Sequence, residues 1–228
     1  MKLSLAVVAL SCALGAACHS SSVVHHHGGG PMHTGSGVPA EELRELGPFD
    51  SLHVVGSTSV DVQIGGESSV LLRADDNMLQ YLTTEVRGST LHIGLEKGSY
   101  TFGVRPRATI TMSGLEEITM VGSGDANVLG LDGDVFTSTT LGSGDLTARG
   151  RVDRLEATVN GSGSLELSEL EARAANVQIN GSGDAEVRAS EEIIAVVSGS
   201  GDIVYRGDPD HISTSVNGSG SISRRRGY

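Results

Sequence analysis

Residues 157–203 read ATVNGSGSLELSELEARAANVQINGSGDAEVRASEEIIAVVSGSGDI. Three Gly-Ser-Gly units punctuate this stretch, and apolar residues alternate with polar ones on both sides of each unit. Alternation at period two is the mark of a strand with one face buried. Working outward, the unit occurs six times: Gly122-Ser123-Gly124-Asp125, Gly142-Ser143-Gly144-Asp145, Gly161-Ser162-Gly163-Ser164, Gly181-Ser182-Gly183-Asp184, Gly199-Ser200-Gly201-Asp202 and Gly218-Ser219-Gly220-Ser221. By subtraction the spacings are 20, 19, 20, 18 and 17 residues.

The flanks repeat with the turns. Met120, Thr140, Val159, Ile179, Val197 and Val216 stand two residues before each unit. Ala126, Leu146, Leu165, Ala185, Ile203 and Ile222 follow the fourth position, and Val128, Ala148, Leu167, Val187 and Tyr205 come two residues later. Arg224 breaks that last column. A degenerate copy lies upstream in LHVVGSTSVDVQI, residues 52–64, with Gly56-Ser57-Thr58-Ser59 in place of the turn.

A unit of this length cannot bury its apolar side alone, whereas stacked units bury a continuous core. The spacing predicts an all-β, right-handed β-helix-like solenoid with about 17–20 residues per rung. Rungs about 4.8 Å apart would make six repeats on the order of 25–30 Å long. Glycine permits the sharp corner and close stacking of backbone on backbone. Serine hydroxyls, and the Asn160, Asn180 and Asn217 amides, are expected to form ladders from rung to rung. The chain has 32 glycines, 5 prolines and no tryptophan, with 3% aromatics, which suits a thin interior filled by Val, Ile, Leu, Ala and Thr. Residues 70–74, 90–95 and 108–112 read as further strands, and 77–84 as a helical turn, forming extra rungs and a cap.

The chain begins Met1-Lys2, then an apolar run, LSLAVVALSCAL, then Gly15-Ala16-Ala17-Cys18. That is the pattern of a secretory signal peptide, and the run is too short to span a bilayer. LGAAC resembles a bacterial lipobox, which would make Cys18 a lipidated first residue; Gly15 and Ala17 also suit an ordinary signal peptidase. Cys12 lies in the leader, so Cys18 would stand alone after cleavage and no intrachain disulfide could form. His19 in second place fits onward transport to the outer membrane, by resemblance to Gram-negative lipoproteins. The expected organisation is a signal peptide at 1–17, a Ser/Gly/His-rich linker at 18–46 and a solenoid domain at 47–228. His25, His26, His27 and His33 in the linker read as incidental to a polar spacer that lacks the supporting shell of a specific metal site.

Net charge is −12, which argues against nucleic acid and against anionic headgroups. A serine that recurs six times behaves as a structural element, not as a unique nucleophile with a base in reach. His53, His92 and His211 are the domain's candidate bases, and none sits in a catalytic motif. Asp125, Asp145, Asp184 and Asp202 fall in one column, which Ca²⁺ could bridge. Ser164 interrupts that column, and local bonding to backbone amides is the simpler reading. No catalytic residue, metal site or cofactor is expected.

The F-D-S-L-H-V-V-G start at Phe49, the L-H-I-G-L strand at 91–95 and the train of G-S-G-D and N-G-S-G units resemble the auto-transporter adhesin head GIN domain family, over residues 49–222. That resemblance implies export or lipid anchoring and a β-helical fold, and it brings no catalytic residues. The leading function is a non-catalytic cell-envelope surface protein, adhesion-like or a scaffold, with a protein or glycan partner. The alternative is a carbohydrate-binding or carbohydrate-active β-helix, for which Tyr81, Tyr100, Phe102, Phe136 and Tyr205 are the candidate stacking rings. The solenoid's open ends are strand edges through which copies could pair as a homo-oligomer.

Overall fold

A computed structural model describes residues 31–225. The strands in chain order are β1 (Met32–Thr34), β2 (Pro39–Arg44), β3 (Ser51–Gly56), β4 (Ser59–Ile64), β5 (Ser69–Asp75), β6 (Leu82–Arg87), β7 (Thr90–Leu95), β8 (Ser99–Thr101) and β9 (Arg107–Met112). They continue as β10 (Glu117–Gly122), β11 (Ala126–Gly142), β12 (Leu146–Gly161), β13 (Leu165–Gly181), β14 (Ala185–Gly199), β15 (Asp202–Arg206), β16 (His211–Gly218) and β17 (Ser221–Arg224). Between β5 and β6 the expected helical turn is a short 3-10 turn, Leu79–Tyr81.

The chain is a β-solenoid of about five turns. Each Gly-Ser-Gly unit is a corner between two sheet layers. Segments before the corner stack as one layer, in the order β16-β14-β13-β12-β11-β10-β3-β7-β6. Segments after it form the other, β17-β15-β14-β13-β12-β11, continued by β4, β9, β5 and β2. The long strands β11 to β14 serve both layers, bending at a second corner where the register shifts.

Parallel, in-register pairing runs through the repeats, and Gly122, Gly142, Gly161, Gly181, Gly199 and Gly218 align one above another. The alternation seen in the sequence becomes a core of stacked columns. Met120, Thr140, Val159, Ile179 and Val197 form one, and Ala126, Leu146, Leu165, Ala185 and Ile203 form another, all buried. The interior is one continuous hydrophobic cluster from Phe49 to Tyr205. Its polar members include Thr58, Ser138 and Thr140, whose buried hydroxyls have no hydrogen-bond partner.

The corner glycines are required by the stacking. At the first glycine φ lies between +129° and +145° from Gly122 to Gly218, a region L side chains avoid. A Cβ there would also lie 2.0–2.2 Å from the carbonyl oxygen of the glycine one rung back. The second glycine, at the unit's third position, has no positive φ, yet its Cβ would stand 1.8–2.2 Å from the backbone below. Gly56 begins the column and a Cβ on it would meet nothing, so the rule relaxes there and Thr58 takes the third position.

The first end is closed by antiparallel strands: β6 on β7, β5 on β9 and β2 on β5. Residues within the expected linker belong to this cap, since β1 pairs with β8 and β2 with β5. Asp75 holds it together. Its side chain is fully buried and accepts backbone N–H bonds from Gly37 at 2.6 Å, Gly103 at 3.0 Å and Val104 at 3.1 Å. Burial pushes its carboxyl up, but the backbone donors outweigh that and hold it below the ordinary value. The leader, Cys18 and His25 to His27 lie outside the described residues.

Candidate functional surfaces

The corner column is the feature most fully specified by the sequence, and its polar groups are used in two different ways. Each corner serine donates its backbone N–H to the first glycine one rung back, from Ser123 on Gly56 at 3.0 Å to Ser219 on Gly199 at 2.9 Å. The second glycine's N–H shares that acceptor at 3.2–3.3 Å. The rung-to-rung ladder therefore runs through the serine's backbone, where the sequence suggested its hydroxyl. The hydroxyls of Ser123, Ser143, Ser162, Ser182, Ser200 and Ser219 form an exposed row.

The aspartate column carries a second ladder. Asp125 Oδ1 accepts from the Asp145 amide at 3.1 Å, and Asp145 Oδ1 accepts from Ser164 at 2.8 Å. Asp184 Oδ1 accepts from Asp202 at 2.8 Å, and Asp202 Oδ1 from Ser221 at 2.7 Å. One carboxylate oxygen of each thus caps an amide on the next rung, which explains both the column and its tolerance of serine. Asn180 donates to Asn160 Oδ1 at 2.9 Å, as expected of an amide ladder. Asn217 does not join, because Ser198 intervenes in the register.

No three His, Cys, Asp or Glu side chains are grouped to hold a metal ion among the described residues. His53 and His92 do meet: they are register partners on β3 and β7, with Nδ1 atoms 3.3 Å apart. Burial, and then the facing His53, lower the His92 pKa. His211 lies on β16, away from both.

The candidate stacking rings divide. Phe136 and Tyr205 are buried in the core. Tyr81, Tyr100 and Phe102 are half-buried and cluster at the capped end, joined by His33, which the sequence had placed in the linker. His33 stacks on Tyr100 at 5.2 Å, and Tyr100 on Phe102 at 6.1 Å. Tyr100 and Phe102 line a shallow depression of about 540 Å³ together with Leu95, Gly56, Gly122 and the corner serines Ser57, Ser123 and Ser143. The second corner carries a charge network that no single motif signals. Arg173 reaches Glu191 at 2.9 Å and Asp153 at 3.6 Å, while Arg151 and Arg188 share Glu171 at 3.0 and 3.3 Å. The Arg151 hydrogen bond, and then Arg188, hold the Glu171 carboxyl below its usual range. This signal was present as charged residues one repeat apart, legible only once the register is known.

Residues 48–209 match the model of the family described as "Putative auto-transporter adhesin, head GIN domain". The chain belongs to that family. Among solved structures, the GIN domain here is similar to a "putative adhesin" of Bacteroides fragilis, with 22% identity, a TM-score of 0.70, and coverage of 85% of this chain and 100% of that one. It is similar to a "putative lipid binding protein" of Parabacteroides distasonis at 25% identity and a TM-score of 0.53, covering 85% and 99%. A "putative adhesin" of Parabacteroides merdae matches at 17% identity and a TM-score of 0.57, covering 86% and 99%. No curated protein matches the chain.

Proposed function

We propose that this GIN domain is a non-catalytic, adhesion-like module of the bacterial cell envelope that binds a surface partner along its flat faces. In this reading the chain is exported, Cys18 carries the lipid that ties it to the outer membrane, and the solenoid is a rigid column held out from that anchor. The supporting observation is the distribution of polar groups. They recur rung after rung and are spent on neighbouring rungs, as the two corner ladders are. A column built in that way offers long regular faces, which suit recognition of an extended partner better than chemistry at one point. The test is metabolic labelling with a palmitate analogue, comparing wild type with Cys18→Ala, followed by binding of the purified chain to isolated cell envelopes. Label that follows Cys18, with saturable envelope binding, is the expected result. A soluble unlabelled wild type sinks the anchor, and absence of binding sinks the adhesion-like role.

One observation favours a glycan as that partner. Tyr100 and Phe102 line one depression with Gly56, Gly122 and the serines Ser57, Ser123 and Ser143. Ring faces stack on the apolar faces of sugars while hydroxyls exchange hydrogen bonds with them. Phe102→Ala is expected to weaken retention on immobilised envelope polysaccharide at least several-fold; unchanged retention removes the glycan reading and leaves a protein partner.

A further inference from the structure

The two ends of the solenoid are built differently. The first end is closed by antiparallel strands carrying Pro39, Glu41, Glu42 and Arg44 on β2, and the Glu85–Arg87 ion pair on β6. Charges and proline on a terminal strand are devices that stop strand addition. At the other end β16 pairs with β14 along one edge, and every residue of it is exposed. Its inward column continues the core into open space: Ile212 stacks on Ile193, Thr214 on Ala195 and Val216 on Val197. Ile212 is 51% exposed and Val216 42% exposed, whereas Ile193 and Val197 are fully buried. Between Ile212 and Gly218 there is no charge and no proline.

The companion strand is protected. On β17 Arg224 occupies the inward column beyond Tyr205 and pairs with Asp208 at 2.8 Å. Arg225 beside it pairs with Glu186 at 2.9 Å. An inward charge blunts an edge, so among the described residues this end is shielded on one layer and bare on the other.

The bare strand has a near-palindromic sequence, Ile212-Ser213-Thr214-Ser215-Val216. Laid antiparallel on a second copy about Thr214, it places Ile212 opposite Val216 of the other copy, Ser213 opposite Ser215 and Thr214 opposite Thr214. Apolar pairs and Thr–Thr pairs are favourable cross-strand neighbours, and a two-fold interface requires this self-matching. We infer that the β16 edge is a dimerisation surface, on which a second copy of this chain pairs antiparallel through Thr214 and joins the two cores end to end. An eight-residue strand is roughly 27 Å long. One edge of that length buries well under the ~800 Å² per partner of a standard interface. The dimer is therefore weak and concentration-dependent, and it is favoured where the protein is crowded.

The register makes the test specific. Facing residues of an antiparallel pair lie about 4.5–5.5 Å apart, within disulfide reach. Thr214→Cys in the full chain is expected to give an oxidised dimer on a non-reducing gel, above the background of the parent chain. Ser215→Cys is expected to stay at that background, because two copies of it are offset along the strands. Sedimentation velocity on the parent chain is expected to show mass rising toward dimer with concentration. Ile212→Lys should abolish that rise while melting at an unchanged temperature. Equal cross-linking of both cysteine variants, cross-linking to another protein, or a concentration-independent monomer overturns the proposal.

Discussion

Replacing Gly161 by alanine would force the corner column open, and the structure says by how much. The new Cβ would lie 2.0 Å from the Gly142 carbonyl oxygen, where real contacts are not found below 3.0 Å, so the rungs must part locally by about 1 Å. That separation loosens the bonds from the Ser162 and Gly163 amides to the same oxygen, now 2.9 and 3.3 Å. Leaving such groups unmade costs about 1–3 kcal/mol. Forcing a side chain to a φ of +145° adds about 1–3 kcal/mol. Together the expected loss is about 2–6 kcal/mol, a large share of the ~5–15 kcal/mol that holds a domain folded. Three other glycines separate the contributions. Gly56 has positive φ (+102°) and no neighbour, so Gly56→Ala carries the conformational part alone, about 1–2 kcal/mol. Gly163 has the close backbone contact without positive φ, so Gly163→Ala isolates the rung separation. Gly133 has neither, and Gly133→Ala should stay within about 0.5 kcal/mol. Urea unfolding followed by circular dichroism measures all four. If Gly56→Ala costs as much as Gly161→Ala, or Gly163→Ala costs nothing, close rung stacking is not what demands glycine.

Thr140→Val should stabilise by about 1 kcal/mol in the same assay, because the buried hydroxyl has no partner and valine fills the position at Val159 and Val197. Asp75 titrates lower folded than unfolded. Its stabilisation is therefore complete above the ordinary carboxylate pKa of about 4 and is lost as pH falls from there through the lowered value. Asp75→Asn, which sets an amide donor against backbone donors, should lower the melting temperature at pH 7 and flatten that acid dependence; an unchanged melt at pH 7 would rule out its role in holding the cap. Arg173→Ala should cost under about 1 kcal/mol, and the difference should shrink in high salt, since all its partners are exposed.

The repeat was legible because each rung sees the same environment. A position that must be glycine, apolar or exposed in one rung must be so in the next, and the constraint is written six times. Local rules were enough for the core columns and the corners, and for the strands at 70–74, 90–95 and 108–112. They were not enough to choose between hydroxyl and backbone as the ladder's donor. That choice depends on where the chain below presents its carbonyl, and Gly142 presents it to the Ser162 amide.

Contacts made once were decided by the tertiary structure alone. His33 stacks on Tyr100, Asp75 gathers the amides of Gly37, Gly103 and Val104, and His53 meets His92. Each joins residues far apart in sequence at a spacing that nothing repeats, so no periodicity announces it. The same holds for the difference between the ends. Ile212, Thr214 and Val216 continue the inward columns of Ile193, Ala195 and Val197, and the sequence placed Val216 in a core column. Only the absence of a further strand on that edge in the described residues turns a core column into an exposed one. Periodicity thus determined what a rung is, and the stacking of rungs decided which groups are left for another molecule to meet.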